Sequence, residues 1–207
     1  GEVDPLVTSG DVGRYSSVKF TPSGWGLIAF QDDDAMRVAY EYAGAVGGWK
    51  FHTVDTSTGA GIGCSLAIRQ TGPAGTSYLC QDLRTTTLKY ADLIVKNGEV
   101  IGQTITTVDS AVGLFSYDTS LAFTPADQPA IAYYCNGGPC LKYAEYDGSQ
   151  WRITTVDDSG MVGKGCSLAF GPEGRPAISY YDQDAGDLKY AAFDGSAWQI
   201  FTVDFDG

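Results

Sequence analysis

A unit of about 47 residues recurs along the chain, as the spacing from Ser120 to Ser167 and from Trp151 to Trp198 shows. Trp-Arg-Ile-Thr-Thr-Val-Asp (Trp151–Asp157) returns as Trp-Gln-Ile-Phe-Thr-Val-Asp (Trp198–Asp204). Ser-Leu-Ala-Phe occurs at Ser120–Phe123 and Ser167–Phe170, and Leu-Lys-Tyr-Ala at Leu88, Leu141 and Leu188. A unit this short cannot bury an apolar face alone, so neighbouring copies must stack.

Each copy divides into four short strand-like segments. In the last they are Ser167–Phe170, Ala177–Tyr181, Leu188–Phe193 and Trp198–Val203, separated by Gly-Pro-Glu-Gly, an Asp182–Gly186 turn and Asp-Gly-Ser. These joints are hairpin punctuation, and no helical period intervenes. The pattern predicts an all-β chain: a β-propeller with four blades of four antiparallel strands, spanning residues 1–207 as one domain. The repeats run over residues 11–55, 60–109, 115–157 and 162–204. The second carries extra length around Lys96-Asn97-Gly98-Glu99, and the first is the most diverged. Glu2-Val3-Asp4 has the form of the tail of a preceding Thr-Val-Asp unit. Two architectures follow: a closed four-bladed ring, which is the expectation, or an arc completed by a homodimer or by a longer parent chain.

Charge and residue content narrow the function. A formal net charge of -12 opposes binding to nucleic acid or to an anionic membrane, and fits a soluble extracellular protein. His52 is the only histidine, which excludes a multi-histidine metal site within one chain. No apolar run reaches the length of a membrane span. Five cysteines favour an oxidising compartment. Cys135 and Cys140 flank Asn-Gly-Gly-Pro, where a hairpin would set them opposite each other, so they are the candidate disulfide. Cys64 and Cys166 share one repeat position, where they would either meet at the axis or lie buried separately. Cys80 reads as a core filler.

The repeated polar and aromatic positions are the candidate sites. Trp49, Trp151 and Trp198 each precede an Asp by six residues, and Gln103 replaces the tryptophan in the second repeat. These rings either cover the seams between blades or offer stacking platforms to a sugar. Tyr134, Tyr181 and Asp182 complete the candidate ligand set. The Val-Asp pairs cap the following turns or form a ring of carboxylates at one mouth. Lys89, Lys142 and Lys189 recur within Leu-Lys-Tyr, where they could pair with those aspartates. Asp32-Asp33-Asp34 is the densest acidic cluster and the candidate calcium site; no other cofactor is expected. No nucleophile–base order, phosphate loop or dinucleotide fingerprint is present.

Ser-Leu-Ala-Phe, Pro-Ala-Ile-Ser-Tyr-Tyr-Asp, Leu-Lys-Tyr-Ala and Trp-x-x-x-Thr-Val-Asp together resemble repeats of bacterial secreted or cell-surface β-propeller proteins. Gly47–Trp49 and the repeated aromatics also resemble propeller lectins. Asp147-Gly148-Ser149-Gln150-Trp151 is distantly similar to the Asp-box turn of sialidases, without their arginine triad. These resemblances imply a secreted or surface-bound module that recognises carbohydrate. The alternatives are a protein-interaction or self-assembly propeller, and a polysaccharide hydrolase or lyase.

Overall fold

The computed structural model describes residues 10–33, 35–41, 48–96, 98–138 and 140–204. Sixteen strands form four antiparallel four-stranded sheets, each a simple meander in chain order. Blade 1 holds β1 (Val12–Phe20), β2 (Gly26–Asp32), β3 (Ala35–Glu41) and β4 (Trp49–Asp55). Blade 2 holds β5 (Ala60–Ile68), β6 (Ala74–Gln81), β7 (Thr86–Lys96) and β8 (Glu99–Asp109). Blade 3 holds β9 (Thr119–Phe123), β10 (Pro129–Cys135), β11 (Cys140–Tyr146) and β12 (Trp151–Asp157). Blade 4 holds β13 (Val162–Phe170), β14 (Pro176–Asp182), β15 (Asp187–Phe193) and β16 (Trp198–Asp204). The extra residues of the second repeat lengthen the β7–β8 hairpin, which closes with Lys96 opposite Glu99. The chain is thus all-β, with the four-bladed propeller organisation read from the repeat.

The turns follow from local chemistry. Asp147 Oδ1 accepts the N–H groups of Ser149 and Gln150, and Asp194 Oδ1 those of Ser196 and Ala197. Both Asp-Gly-Ser turns therefore fold on their own carboxylate, which the donated hydrogen bonds hold well below the ordinary range. The innermost strands β1, β5 and β13 each break register twice. Gly13, Gly61 and Gly163 sit at the first break with φ of 90, 100 and 110°, a conformation that disfavours any other residue.

The core lies in the seams. One cluster joins Met36 and Val38 of blade 1 to Leu66 and Tyr78 of blade 2. The next joins Leu88 and Tyr90 to Ile131 and Tyr133, and the third joins Leu141 and Tyr143 to Ile178 and Tyr180. Along the inner edge, β1 packs on β5, β5 on β9 and β9 on β13. The two outer faces of this stack are uncovered. Leu188 is 46% exposed, whereas its counterparts Leu88 and Leu141 are 0% exposed. Val203 is 57% exposed against 7% for Val108 and Val156, and Val18 is 54% exposed against 0% for Leu66. The described residues therefore form an arc, and blade 4 does not close on blade 1 as a four-bladed ring would require. Glu2-Val3-Asp4 lies outside the described residues. No helix among them is long and apolar enough to cross a membrane.

Candidate functional site

Each seam is tied by the terminal Asp of one blade and the Tyr and Lys of the next. Asp55 accepts from Tyr78 (2.9 Å) and Lys89 (2.8 Å); Asp109 from Tyr133 (2.7 Å) and Lys142 (3.1 Å); Asp157 from Tyr180 (2.6 Å) and Lys189 (3.4 Å). The same carboxylates cap their own turns through Ser57, Ala111 and Ser159. Burial alone would raise the Asp55 pKa, but the bonds from Lys89, Ser57 and Tyr78 outweigh it and hold it at about 2. The repeated Val-Asp and Leu-Lys-Tyr motifs are thus spent on holding blades together.

The repeated tryptophans stand at the outer end of the same seams. Trp151 packs edge to face with Tyr90 of the preceding blade, with centroids 5.6 Å apart, and Trp198 with Tyr143 at 5.3 Å. All three candidate rings, Trp49 included, are half-buried. Gln103 fills the first seam by polar means: its Nε2 donates to the Val54 carbonyl at 2.7 Å. Tyr134 is buried, with its hydroxyl donating to Asn136 Oδ1. Tyr181, at the equivalent position, lies on the uncovered face of blade 4. Asp182 is buried against Lys189 at 2.8 Å and caps its own turn at Asp184 and Ala185. The six candidate ligand residues therefore do not converge on one place.

The candidate metal residues are also separately engaged. Asp32 is buried and paired with Arg37 at 2.8 Å, Asp33 Oδ1 accepts the Asp11 N–H, and Asp34 lies outside the described residues. Among the described residues no three potential ligands are gathered. Cys135 and Cys140 face each other directly across β10 and β11, both buried and present as free thiols. A hydrogen bond from Cys140 lowers the Cys135 pKa. Cys64 and Cys166 are buried in different seams, the first donating to the Tyr15 carbonyl. Cys80 is buried beside Asp55.

A different constellation emerges at the outer end of the seams, where a cleft recurs. Its walls are the first turn of the following blade and the third and fourth strands of the preceding one. Between blades 2 and 3 the cleft holds Arg69, whose guanidinium donates to Asp92 (2.6 Å), the Tyr90 hydroxyl (3.0 Å) and the Asp127 carbonyl (3.2 Å). It also lies 4.4 Å from the centre of the Phe123 ring. Between blades 3 and 4, Thr124 occupies the place of Arg69. Tyr143, Glu145 and Phe170 take the places of Tyr90, Asp92 and Phe123, and no guanidinium enters from blade 3.

The result is an open cleft of about 560 Å³ lined by Tyr143, Phe170, Phe193 and Trp198, with Glu145, Thr154 and Arg175 among its polar groups. Tyr143 donates to Glu145 at 2.5 Å; burial, followed by this carboxylate, pushes its pKa up, so the phenol stays protonated. Trp198 is wedged between Tyr143 and Phe193, which fixes its ring. Of the expected site residues, only Trp198 belongs here. Glu145 and Arg175 were not singled out by sequence, since neither lies in a repeated motif; the signal was the exchange of Arg69 for Thr124 at matched repeat positions.

No family model and no curated protein matches the sequence. Solved structures do resemble the fold. A 6-phosphogluconolactonase-like protein from Bacteroides uniformis superposes with a TM-score of 0.58 at 10% identity, covering 94% of this chain and 54% of its own. An α-L-arabinofuranosidase from Fusarium graminearum, bound to an iminosugar inhibitor, gives 0.58 at 14% identity, covering 92% and 66%. A fucose lectin from Kordia zhangzhouensis with methyl-fucoside gives 0.40 at 16% identity, covering 67% and 97%. For the first two, at these identities, the likeness is one of fold. The chain spans about half to two thirds of the length of the first two.

Proposed function

We propose that this propeller is a secreted or cell-surface carbohydrate-binding module, and that the cleft between blades 3 and 4 holds the sugar. One observation carries the reading: this seam lacks the arginine that fills its neighbour, and so exposes aromatic walls beside a carboxylate. A pyranose presents an apolar C–H face and a polar hydroxyl rim. Trp198 and Phe170 suit the first, and Glu145, Thr154 and Arg175 suit the second. Glu145 acts as an acceptor for sugar hydroxyls, a charge-assisted contact. Glycosidase chemistry asks for a second carboxylate across the bond, and none lines this cleft among the described residues, which places binding ahead of hydrolysis. A disulfide between Cys135 and Cys140 belongs to the same extracellular reading, and calcium at Asp32–Asp34 is not needed by it.

Glycan-array screening followed by calorimetry tests the proposal. A saccharide that binds wild-type protein should bind Glu145→Gln about tenfold more weakly, a loss of about 1.4 kcal/mol. No binding at millimolar saccharide, or binding indifferent to Glu145, would sink it. The second reading is an assembly propeller, favoured by the uncovered apolar face of blade 4.

A further inference from the structure

The three seams repeat the same contacts between a preceding blade and a following one, and each contact has one half on each side. Ser17 Oγ accepts the Leu66 N–H (3.1 Å), Ser65 Oγ the Leu121 N–H (3.0 Å), and Ser120 Oγ the Leu168 N–H (2.9 Å). The next serine in this series is Ser167 on blade 4, and the next N–H is that of Val18 on blade 1. Tyr90 packs edge to face with Trp151 and Tyr143 with Trp198; the remaining members are Tyr190 and Trp49. A Cβ on Gly163 would lie 3.0 Å from the Leu141 Cα of the preceding blade. Gly13 keeps the same positive φ with nothing within 4 Å of such a Cβ, and the counterpart of Leu141 is the uncovered Leu188.

Charge runs the same way. Lys89, Lys142 and Lys189 each receive the terminal Asp of the blade before. Arg37 holds that position in blade 1. Arg37 pairs with Asp32 at 2.8 Å, out of line for a hydrogen bond, much as Lys189 pairs with Asp182. The two ends of the arc are therefore two halves of one seam, and among the described residues they stand apart.

We infer that a second copy of this chain covers both ends, so that two arcs join head to tail in an eight-bladed ring with two identical new seams. Blade 4 of each copy packs on blade 1 of the other, with Ser167, Leu188 and Tyr190 meeting Val18, Gly13 and Trp49. A head-to-tail contact makes a closed ring when its rotation closes and a filament when it does not. This inference deepens the assembly reading and is independent of the saccharide one.

Sedimentation equilibrium of the full 207-residue chain tests it, with Leu188→Glu and Val18→Glu as variants at exposed side chains. The expected wild-type mass is twice 22.0 kDa, about 44 kDa. Each variant should give a folded 22.0 kDa monomer with unchanged far-ultraviolet circular dichroism, or weaken dimerisation at least about tenfold. A wild-type monomer at about 100 μM, where an interface of standard size is fully formed, would overturn both the ring and the assembly reading. A dimer indifferent to both substitutions, or a mass that keeps growing with concentration, would overturn the ring alone.

Discussion

The seam between blades 2 and 3 and the seam between blades 3 and 4 share a frame and differ in their filling. In both, a Tyr on the third strand meets a Trp of the next blade, and an acidic residue stands two positions beyond that Tyr. In the first, Arg69 joins Asp92, Tyr90, Asp127 and the face of Phe123 into one closed network. In the second, Thr124 is too short to reach any counterpart, and Glu145 keeps Tyr143 as its partner. One substitution within a repeat thus separates a structural joint from a cleft with chemistry. Thr21 stands at the same place in blade 1, so Arg69 is the residue that breaks the pattern, and here the departure closes a joint while the shared threonine leaves a cleft open.

Exchanging the two residues should interchange the seams. Arg69→Thr removes a largely buried guanidinium, so Asp92 keeps only the Tyr90 hydroxyl and water as donors, and Phe123 loses its cation. With Asp92 part-exposed, the expected loss is about 2 kcal/mol, read as a lower urea midpoint at unchanged slope. Thr124→Arg should fill the cleft between blades 3 and 4 with a side chain able to reach Glu145 and Tyr143. Saccharide binding should fall at least about tenfold while stability stays within about 1 kcal/mol. If Thr124→Arg left binding intact, the cleft would not be the site, whatever the chain binds elsewhere.

The fold was legible because the repeat fixes both strand period and stacking. The Asp-Gly-Ser turns at Asp147 and Asp194 and the Leu-Lys-Tyr strands could be placed before any coordinates. The pairing of Lys89, Lys142 and Lys189 with repeated aspartates could also be foreseen, although not that each pair spans two blades. The site was not legible in the same way. Trp151 and Trp198 advertise sugar stacking, yet each is packed edge to face with a neighbouring Tyr. Glu145 and Arg175 look like ordinary surface charges until the turn of one blade is laid against the strands of another. The arc was hidden for a similar reason. Leu188 and Val203 carry the same motif as their buried counterparts, so only the absence of a neighbour reveals them.

A smaller effect is shared by all three seams and sharpens what they have in common. Burial would raise the pKa values of Asp55, Asp109 and Asp157, but hydrogen bonds from Tyr, Lys and the capped turn outweigh it and lower all three. Their folded values lie below the ordinary 3.8, so their contribution to stability is complete above that value. It is lost as pH falls through the folded values, about 2 for Asp55. The urea midpoint should therefore hold steady down to about pH 4 and decline towards pH 2. Tyr78→Phe, which deletes one of the bonds on Asp55, brings its folded value closer to the unfolded one, so it should lower the midpoint at neutral pH and make the acid decline smaller, with its onset unchanged. A decline of unchanged size would mean that other carboxylates govern acid unfolding.

The smallest expected effect separates the interior seams from the ends of the arc. Ser120→Ala leaves the Leu168 N–H without its acceptor inside a formed seam, which should cost about 1 kcal/mol. Ser167→Ala makes the same chemical change at the repeat position on the uncovered face, where no following blade is present within one chain. In a monomeric background, such as Val18→Glu, its cost should be close to zero by urea denaturation. In the wild-type chain it should instead raise the dimer dissociation constant about thirtyfold, the equivalent of about 1 kcal/mol at each of the two new seams. Equal costs for the two serines in the monomer would mean that Ser167 already has a use within its own chain. Unequal costs that vanish in the dimer would place Ser167 in a seam of the same kind as the other three.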